Sequence, residues 1–314
     1  MGKRLIGVDV GGTKVSVAVL ENGVLSPPTL RPTELSGSEP LIDQLVDVIE
    51  AAGPADAVGL GVPSVIDFAT GTARSSVNVP LQGVPLRERL NERLEIPTFV
   101  DNDATVAGLA EAHDDDMVLI AETLIMITVG TGVGGGIVID GRIYRGATGA
   151  APELGHIIIG ADLTDGAPPA RPRPPQPGSL EELAAGRALD RLGEQRGIGD
   201  GHAVVDAARR GNADAIDCLR IVGERLGVGI ANVVNIFDPE LVVVGGGVSL
   251  AGDLLLNPAK DAARRFILPG VGTRTRIELA RYGPQAGVRG AALLAGQELE
   301  RAGASQRSEV GSSP

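Results

Sequence analysis

Residues 5–19 read LIGVDVGGTKVSVAV. Leu5 to Val10 is an apolar, β-branched run, Gly11-Gly12-Thr13-Lys14 interrupts it, and Val15, Val17 and Val19 then alternate with Ser16 and Ala18 up to a turn at Glu21-Asn22-Gly23. That pattern predicts strand, glycine turn, strand. The layout returns at 123–139, TLIMITVGTGVGGGIVI. There an apolar run from Thr123 to Val129 meets GTGVGGG, resumes at Ile137 to Ile139 and turns at Asp140-Gly141. The repetition points to a duplicated chain.

Between the copies, Leu41, Leu45, Val48, Ile49 and Ala52 recur at helical spacing and stop at Gly53-Pro54, and Ala57 to Val62 then reads as a buried strand. Further on, Ile216, Leu219, Val222, Leu226, Ile230, Val233 and Val234 mark a long helix, and Leu241 to Val244 form a strand that enters Gly245-Gly246-Gly247. Alternating strands and helices predict an α/β protein. A Walker loop or a dinucleotide fingerprint needs a helix directly after its glycines. Here strands follow the first two glycine runs, which predicts a two-lobed architecture of the actin and hexokinase kind, with a phosphate clamp from each lobe.

The chain has 314 residues, enough for two lobes, and its 28 basic and 40 acidic residues leave a net charge of −12. With no Lys/Arg-rich run, nucleic acid and anionic membrane are expected to be repelled. A small anion is a different matter, since glycine-rich backbone amides hold phosphate whatever the overall charge. The only cysteine, Cys218, rules out an intramolecular disulfide and a cysteine-based metal cluster. The opening segment is too short in apolar residues for a secretory leader, and nowhere do about 18 apolar residues run together, so the expected compartment is the cytoplasm. Residues 161–178 contain six prolines without periodicity and predict a surface excursion.

Three glycine runs, each after an apolar strand, point to nucleotide phosphates: Gly11-Gly12-Thr13, Gly130-Thr131-Gly132 with its neighbours, and Gly245 to Gly247. Asp103 stands at the start of the helical run Ala104 to Ala112, where an ionised carboxylate is favoured and can either accept a hydroxyl proton or cap the helix. With no Trp, four Phe and two Tyr, a bound sugar would be recognised through its hydroxyls rather than by stacking.

From Leu5 to about Leu299 the chain resembles bacterial glucokinases of the ROK family (repressors, open reading frames and kinases). The resemblance rests on DVGGTK at 9–14, DNDA at 101–104, GTGVGGG at 130–136, ELGH at 153–156, LEELAAGRAL at 180–189 and LVVVGGGVS at 241–249, in family order. No DNA-binding helices precede the first strand, as in the kinase branch. The resemblance implies a duplicated ribonuclease H-like, actin/hexokinase-like fold. Its small lobe would comprise 1–103 and about 290–302, its large lobe 104–289, and 303–314 would form a flexible tail.

The implied activity is ATP-dependent phosphorylation of a hexose, glucose first, with Asp103 as catalytic base. Asn78, Asn102, Glu153, His156 and Glu181 would join Asp103 in binding the sugar. Asp9, Gly11, Gly12, Thr13, Lys14, Gly130, Thr131, Gly132 and Gly245 to Gly247 would hold ATP, with Asp9 reaching Mg²⁺ through water. A homo-oligomer, dimer or tetramer, is implied as well. Mannose, fructose, allose or an N-acetylhexosamine as substrate stays open, as does a sugar-sensing protein without turnover.

Two departures from the family stand out. Asp101 replaces the usual Glu. The span 157–180, where family kinases place a cysteine-rich zinc motif completed by the ELGH histidine, contains no cysteine, and Ser179 takes the place of the last one. One His and scattered carboxylates do not make a closed thiolate site, so no structural zinc is expected.

Overall fold

The computed structural model describes residues 2–76 and 78–310, apart from the side chains of 305–310. The elements begin with β1 (Arg4–Val10), β2 (Lys14–Glu21), β3 (Val24–Leu25), β4 (Thr29–Pro32), α1 (Ser38–Ala51), β5 (Ala57–Val62), β6 (Ser64–Asp67), β7 (Thr72–Ser76), α2 (Leu86–Leu94), β8 (Thr98–Asn102) and α3 (Asp103–Glu111). They continue with β9 (Leu124–Val129), β10 (Val133–Ile139), β11 (Arg142–Ile143), α4 (Leu180–Ala184), α5 (Gly186–Gln195), α6 (Gly201–Arg209), α7 (Ala213–Phe237), β12 (Leu241–Gly245), α8 (Asp253–Phe266), β13 (Arg276–Leu279) and α9 (Ala286–Val310).

One sheet has the order β3-β2-β1-β5-β8 with β4 beside β2, and another has the order β11-β10-β9-β12-β13. The two orders match. In each, an antiparallel hairpin (β2 with β3, β10 with β11) lies on one side of the first strand, and parallel strands lie on the other. The hairpin turns match too: Asn22-Gly23 has φ of 51 and 80 and Asp140-Gly141 has φ of 53 and 68, the left-handed pair that a two-residue hairpin demands. The duplication read in the sequence is thus present in the backbone. A small hairpin, β6 with β7, stands apart from both sheets.

Two compact units follow from the contacts. The first takes the residues up to Ile120, Gly136–Ala151 and the described residues from Pro284 onward, and the second takes Ala121–Gly135 and Pro152–Gly283. The first unit therefore runs past Asp103 and keeps α3, because Gly290 of α9 packs directly on the α3 backbone at Val106. Helix α9 continues to Val310, so the stretch expected as a tail from 303 is helical that far, and residues 311–314 lie outside the described ones.

The period-2 alternation of a strand decides what each face of the first sheet meets. Ile6, Val8 and Val10 of β1 with Val58, Leu60 and Val62 of β5 project into an apolar core shared with Leu41, Ile42 and Leu45 of α1 and Leu86 and Leu90 of α2. The opposite face carries Gly7, Asp9, Gly59 and Gly61, paired in register as Gly7 with Gly59 and Asp9 with Gly61. On this face α9 lies at backbone contact. A Cβ on Gly7 would overlap the Val288 carbonyl oxygen, one on Gly59 that of Ala291, and one on Gly290 that of Val106.

The second unit uses the same device between helices. Gly223 and Gly227, one turn apart on α7, meet the Leu255 and Ala259 carbonyl oxygens of α8 with no room for a Cβ. Cys218 is buried in α7, where the Arg196 guanidinium donates to its sulfur at 3.1 Å. Among the described residues no helix is long and apolar enough to cross a membrane.

The backbone contact at Gly290 generates a stability prediction. Gly290→Ala forces α9 off α3 and should cost about 3 kcal/mol or more, the upper range of overpacking. Gly296→Ala in the same helix meets only the Leu5 Cδ1 methyl, at 3.0 Å, and should fall within about 1 kcal/mol of the parent because helix propensity favours Ala. Urea unfolding followed by far-UV circular dichroism separates the two, and equal losses would mean that the contact is not rigid.

Candidate active site

In the first unit the candidate residues converge at the carboxyl ends of the parallel strands β1, β5 and β8, the edge where α/β sheets bind ligands. Asp9 is the penultimate residue of β1, and the Gly11 N–H closes the following turn on the Lys14 carbonyl at 2.9 Å. Thr33 clamps the turn from outside, its hydroxyl donating to the Gly11 carbonyl at 2.7 Å. Gly12 is not in the left-handed region. A Cβ there would meet only Asn78, at 3.5 Å, so the two candidates Gly12 and Asn78 are neighbours.

Strand β8 delivers Asp101, Asn102 and Asp103. The cap of α3 is Asn102 rather than Asp103: its Oδ1 accepts the Thr105 N–H at 3.1 Å, while its Nδ2 donates to the Ser64 carbonyl at 3.3 Å. Asp103 is thereby the first helical residue, with its Oδ1 accepting the Ala104 N–H at 2.8 Å. Burial pushes its carboxyl upward, while that N–H, its own backbone N–H and the Asn102 side chain oppose the rise.

Asp9 shares this environment. Burial first, and the Asp103 charge second, push its carboxyl up to about 7, with Lys14 acting in the opposite direction. The first turn of α9 makes that burial possible, since a Cβ on Gly287 would stand 2.5 Å from the Asp9 Cγ.

The second unit assembles the other candidates. The 3-10 turn Leu154–His156 follows Glu153, and its Gly155 lies on the Val133 carbonyl of β10 too closely for any side chain. Leu154 fills the space above Gly135, where a Cβ would come 2.7 Å from its Cδ1. Glu181 of α4 accepts the Val133 N–H at 2.9 Å, and Gly132 is the residue that lets it approach, because a Cβ there would sit 2.5 Å from the carboxylate. Glu153, His156 and Glu181 thus gather on the glycine-rich turn after β9. His156 Nε2 is 3.7 Å from Glu153. Burial raises the Glu153 carboxyl, His156 lowers it and Glu181 raises it.

The remaining glycine runs meet at the ends of β9 and β12, paired as Gly245 with Thr128. Gly246, with φ of 86, passes over Val129 with no room for a Cβ, and its carbonyl accepts the Ser249 hydroxyl at 2.7 Å. Gly130 is tied by its carbonyl to the Gly186 N–H at 2.7 Å.

Where the resemblance implies a zinc motif, the segment ahead of α4 is held by polar side chains. Ser179 caps α4 by accepting the Glu182 N–H at 3.2 Å. Glu182 reaches back to the Gly178 N–H at 2.6 Å, and Arg171 pairs with Glu182 at 2.6 Å. Gln176 bridges Arg171 through the N–H at 2.7 Å and the carbonyl at 3.0 Å. Among the described residues no group of three His, Cys, Asp or Glu is placed to hold a metal ion.

Three residues that sequence reasoning passed over belong to this site. Ser64 supports Asn102 and bonds Ser76 at 2.9 Å, Gly287 admits Asp9, and Arg145 binds Asp101 at 2.7 Å. The glycine before Val288 was open to detection as a lone Gly at a helix start. Nothing in its sequence neighbourhood sets Arg145 apart.

The proteins to which this chain is similar include sugar kinases. The glucokinase of Halalkalibacterium halodurans is 31% identical over 93% of this chain and 95% of its own length. The N-acetyl-D-glucosamine kinase of Aliivibrio fischeri is 32% identical over 92% of this chain and 98% of its own. A crystal structure of a ROK family glucokinase from Streptomyces griseus in complex with glucose and AMPPNP superposes with a TM-score of 0.74 at 31% identity, covering 94% of this chain and 99% of that one. The ROK family model itself matches residues 5–298, and the chain belongs to the ROK family.

Proposed function

We propose that the protein transfers the γ-phosphate of ATP to a hexose, with glucose the first substrate and its 6-hydroxyl the acceptor. The observation that carries this reading is the placement of Asp103. Its carboxylate is partly withdrawn from water, fixed by its own helix and made more basic by burial, as a general base for a hydroxyl proton needs. The likeness to a glucokinase holding glucose and an ATP analogue supports the same roles.

Asn78, Asn102, Glu153, His156 and Glu181 would recognise the sugar by hydrogen bonds. Such a site rejects a sugar with a missing or misplaced hydroxyl, because that sugar leaves buried groups unpaired. Asn102 has its Oδ1 committed to the α3 cap and its amide nitrogen on the Ser64 carbonyl, so the same side chain that would meet the sugar is fixed by the fold. The amides of Gly11 to Lys14, Gly130 to Gly132 and Gly245 to Gly247 would hold the nucleotide, stabilising charge on the transferred group without needing a positive protein. Asp9 offers an oxygen donor short of a counter-cation, which suits a hard divalent ion held chiefly by nucleotide phosphates. Mg²⁺, when bound, neutralises charge on the β- and γ-phosphates.

A coupled ADP-release assay across glucose, mannose, fructose, allose and N-acetylated hexosamines tests the reading. Glucose is expected to give the highest kcat/KM. Asp103→Asn should lower kcat by at least about 100-fold with sugar binding retained. Sugar binding without ADP release by the parent would instead favour the sensing alternative.

Asp9 also ties activity to stability. Its folded pKa of about 7 lies above the ordinary 3.8, so the folded chain keeps a proton that the unfolded chain loses. Stability from this group is complete below about pH 4 and is lost as pH rises to about 7. In metal-free buffer Asp9→Asn should therefore melt higher than the parent at pH 8 and about equally near pH 4. A variant that melts lower at pH 8 would refute the assignment.

The clasp of Arg171, Gln176, Ser179 and Glu182 supports a segment held without zinc. Elemental analysis of chelator-treated, active protein should find well under one zinc per chain. A tightly held stoichiometric zinc whose removal abolishes activity would overturn this.

A further inference from the structure

Asp101 is 3% exposed and carries a charge that the proposed chemistry does not use. One of its oxygens accepts the Asn102 N–H at 2.9 Å, and the other accepts Arg145 Nε at 2.7 Å. Arg145 is itself 16% exposed. Its guanidinium lies 3.5 Å from the Phe68 ring centroid and donates through a second nitrogen to Glu298 of α9 at 3.1 Å. One planar fork thus ties three places in the first unit: the end of β8, the turn after β6, and α9. Burial pushes the Asp101 carboxyl up and the Glu298 charge adds to this, while Arg145 acts against both.

The tie ends one peptide away from the base. Asp101 fixes the peptide that leads into Asn102, Asn102 caps α3, and Asp103 is the first residue of the helix so capped. We propose that Arg145 is a positioning residue for phosphoryl transfer, orienting Asp103 through Asp101 and the α3 cap without touching substrate. The inference rests on the kinase reading above.

A guanidinium suits the task because its donors leave in fixed directions and its face stacks on an aromatic ring, whereas an ammonium is a point charge on a flexible stem. Displacing a reacting group by about 1 Å can cost on the order of 100-fold in rate. Arg145→Lys keeps the charge and loses the fork. It should lower kcat at least about 10-fold while the KM for ATP stays within about threefold, a split expected of misplacement rather than lost binding.

Arg145→Met removes the charged partner of buried Asp101 and the nearer of two for Glu298, Arg301 standing 3.9 Å from it, and is expected to melt lower. The double variant Arg145→Met/Asp101→Asn also removes the Asp101 charge and should recover melting temperature without recovering kcat. Steady-state kinetics and thermal melts are to be run on the parent and the three variants. The proposal is overturned if Arg145→Lys retains the parent's kcat, if the double variant regains kcat along with stability, or if no variant folds, which would make Arg145 structural only. A parent that releases no ADP with any sugar would defeat the kinase reading and the inference with it, a result distinct from an active parent with active variants.

Discussion

The first unit depends on a helix lying against a sheet with no side chains between them. Helices usually pack on sheets through interdigitated apolar residues. Here Gly7 and Gly59 in the sheet remove that layer beneath α9, and Gly290 in α9 does the same against α3, so that backbone meets backbone. Glycine inside a strand or helix costs roughly 0.5–1 kcal/mol against alanine. None of these three has a positive φ that would demand glycine. Close approach is what they supply. It brings Gly287 onto the Asp9 carboxylate and carries Glu298, eleven residues further along the same helix, to Arg145. A chain that ended before α9 would expose Asp9 and leave the Arg145 fork half filled.

Much of this was legible because it follows from period and turn chemistry. The alternation around Gly11-Gly12 and its echo around Gly130 to Gly136 fixed two hairpins, and Asn22-Gly23 and Asp140-Gly141 closed them in the one turn type that suits strand twist. The packing glycines were harder to read. Gly7 and Gly59 sit singly in apolar runs, where sequence alone does not distinguish a tolerated glycine from a required one. The N-cap fell to Asn102 because the side chain that reaches Thr105 N–H belongs to the residue with extended backbone, and adjacent Asn and Asp have equal capping preference. Arg145 was illegible for another reason: its partners lie 44 and 153 residues away. Charge pairs at such separations leave no trace in local pattern.

A chain of net charge −12 that takes a polyanion draws little positive potential from its overall charge and needs local sources. Backbone amides in the glycine turns are one source. On the kinase reading a cation would be the other, and Asp9, whose charge is made costly by burial first and by Asp103 second, is where it would be favoured. A nucleotide-bound cation would offset that cost, so on the kinase reading affinity for a metal nucleotide and the cost of ionising Asp9 in the fold would have one physical origin.

The segment 157–180 illustrates how a crosslink can be spread over weaker bonds. A tetrahedral thiolate site fixes a loop through a single point, whereas here a capping serine, a carboxylate on two donors and a glutamine bridging one arginine divide the restraint. The Arg171 to Glu182 pair is about half exposed on the arginine side, so taken alone it contributes roughly 1 kcal/mol or less. What matters is where the restraints end. Glu182 is bound on both flanks and adjoins Glu181, whose carboxylate is held by Val133. Glu181 is thus oriented from α4 and from β10 at once. His156 stands 3.7 Å from Glu153 with 40% of its side chain exposed, a looser hold than the 2.9 Å bond that fixes Glu181. Absence of the cysteines therefore bears on the histidine more than on the glutamate, and on the kinase reading the weight of sugar recognition in the second unit would shift towards Glu181.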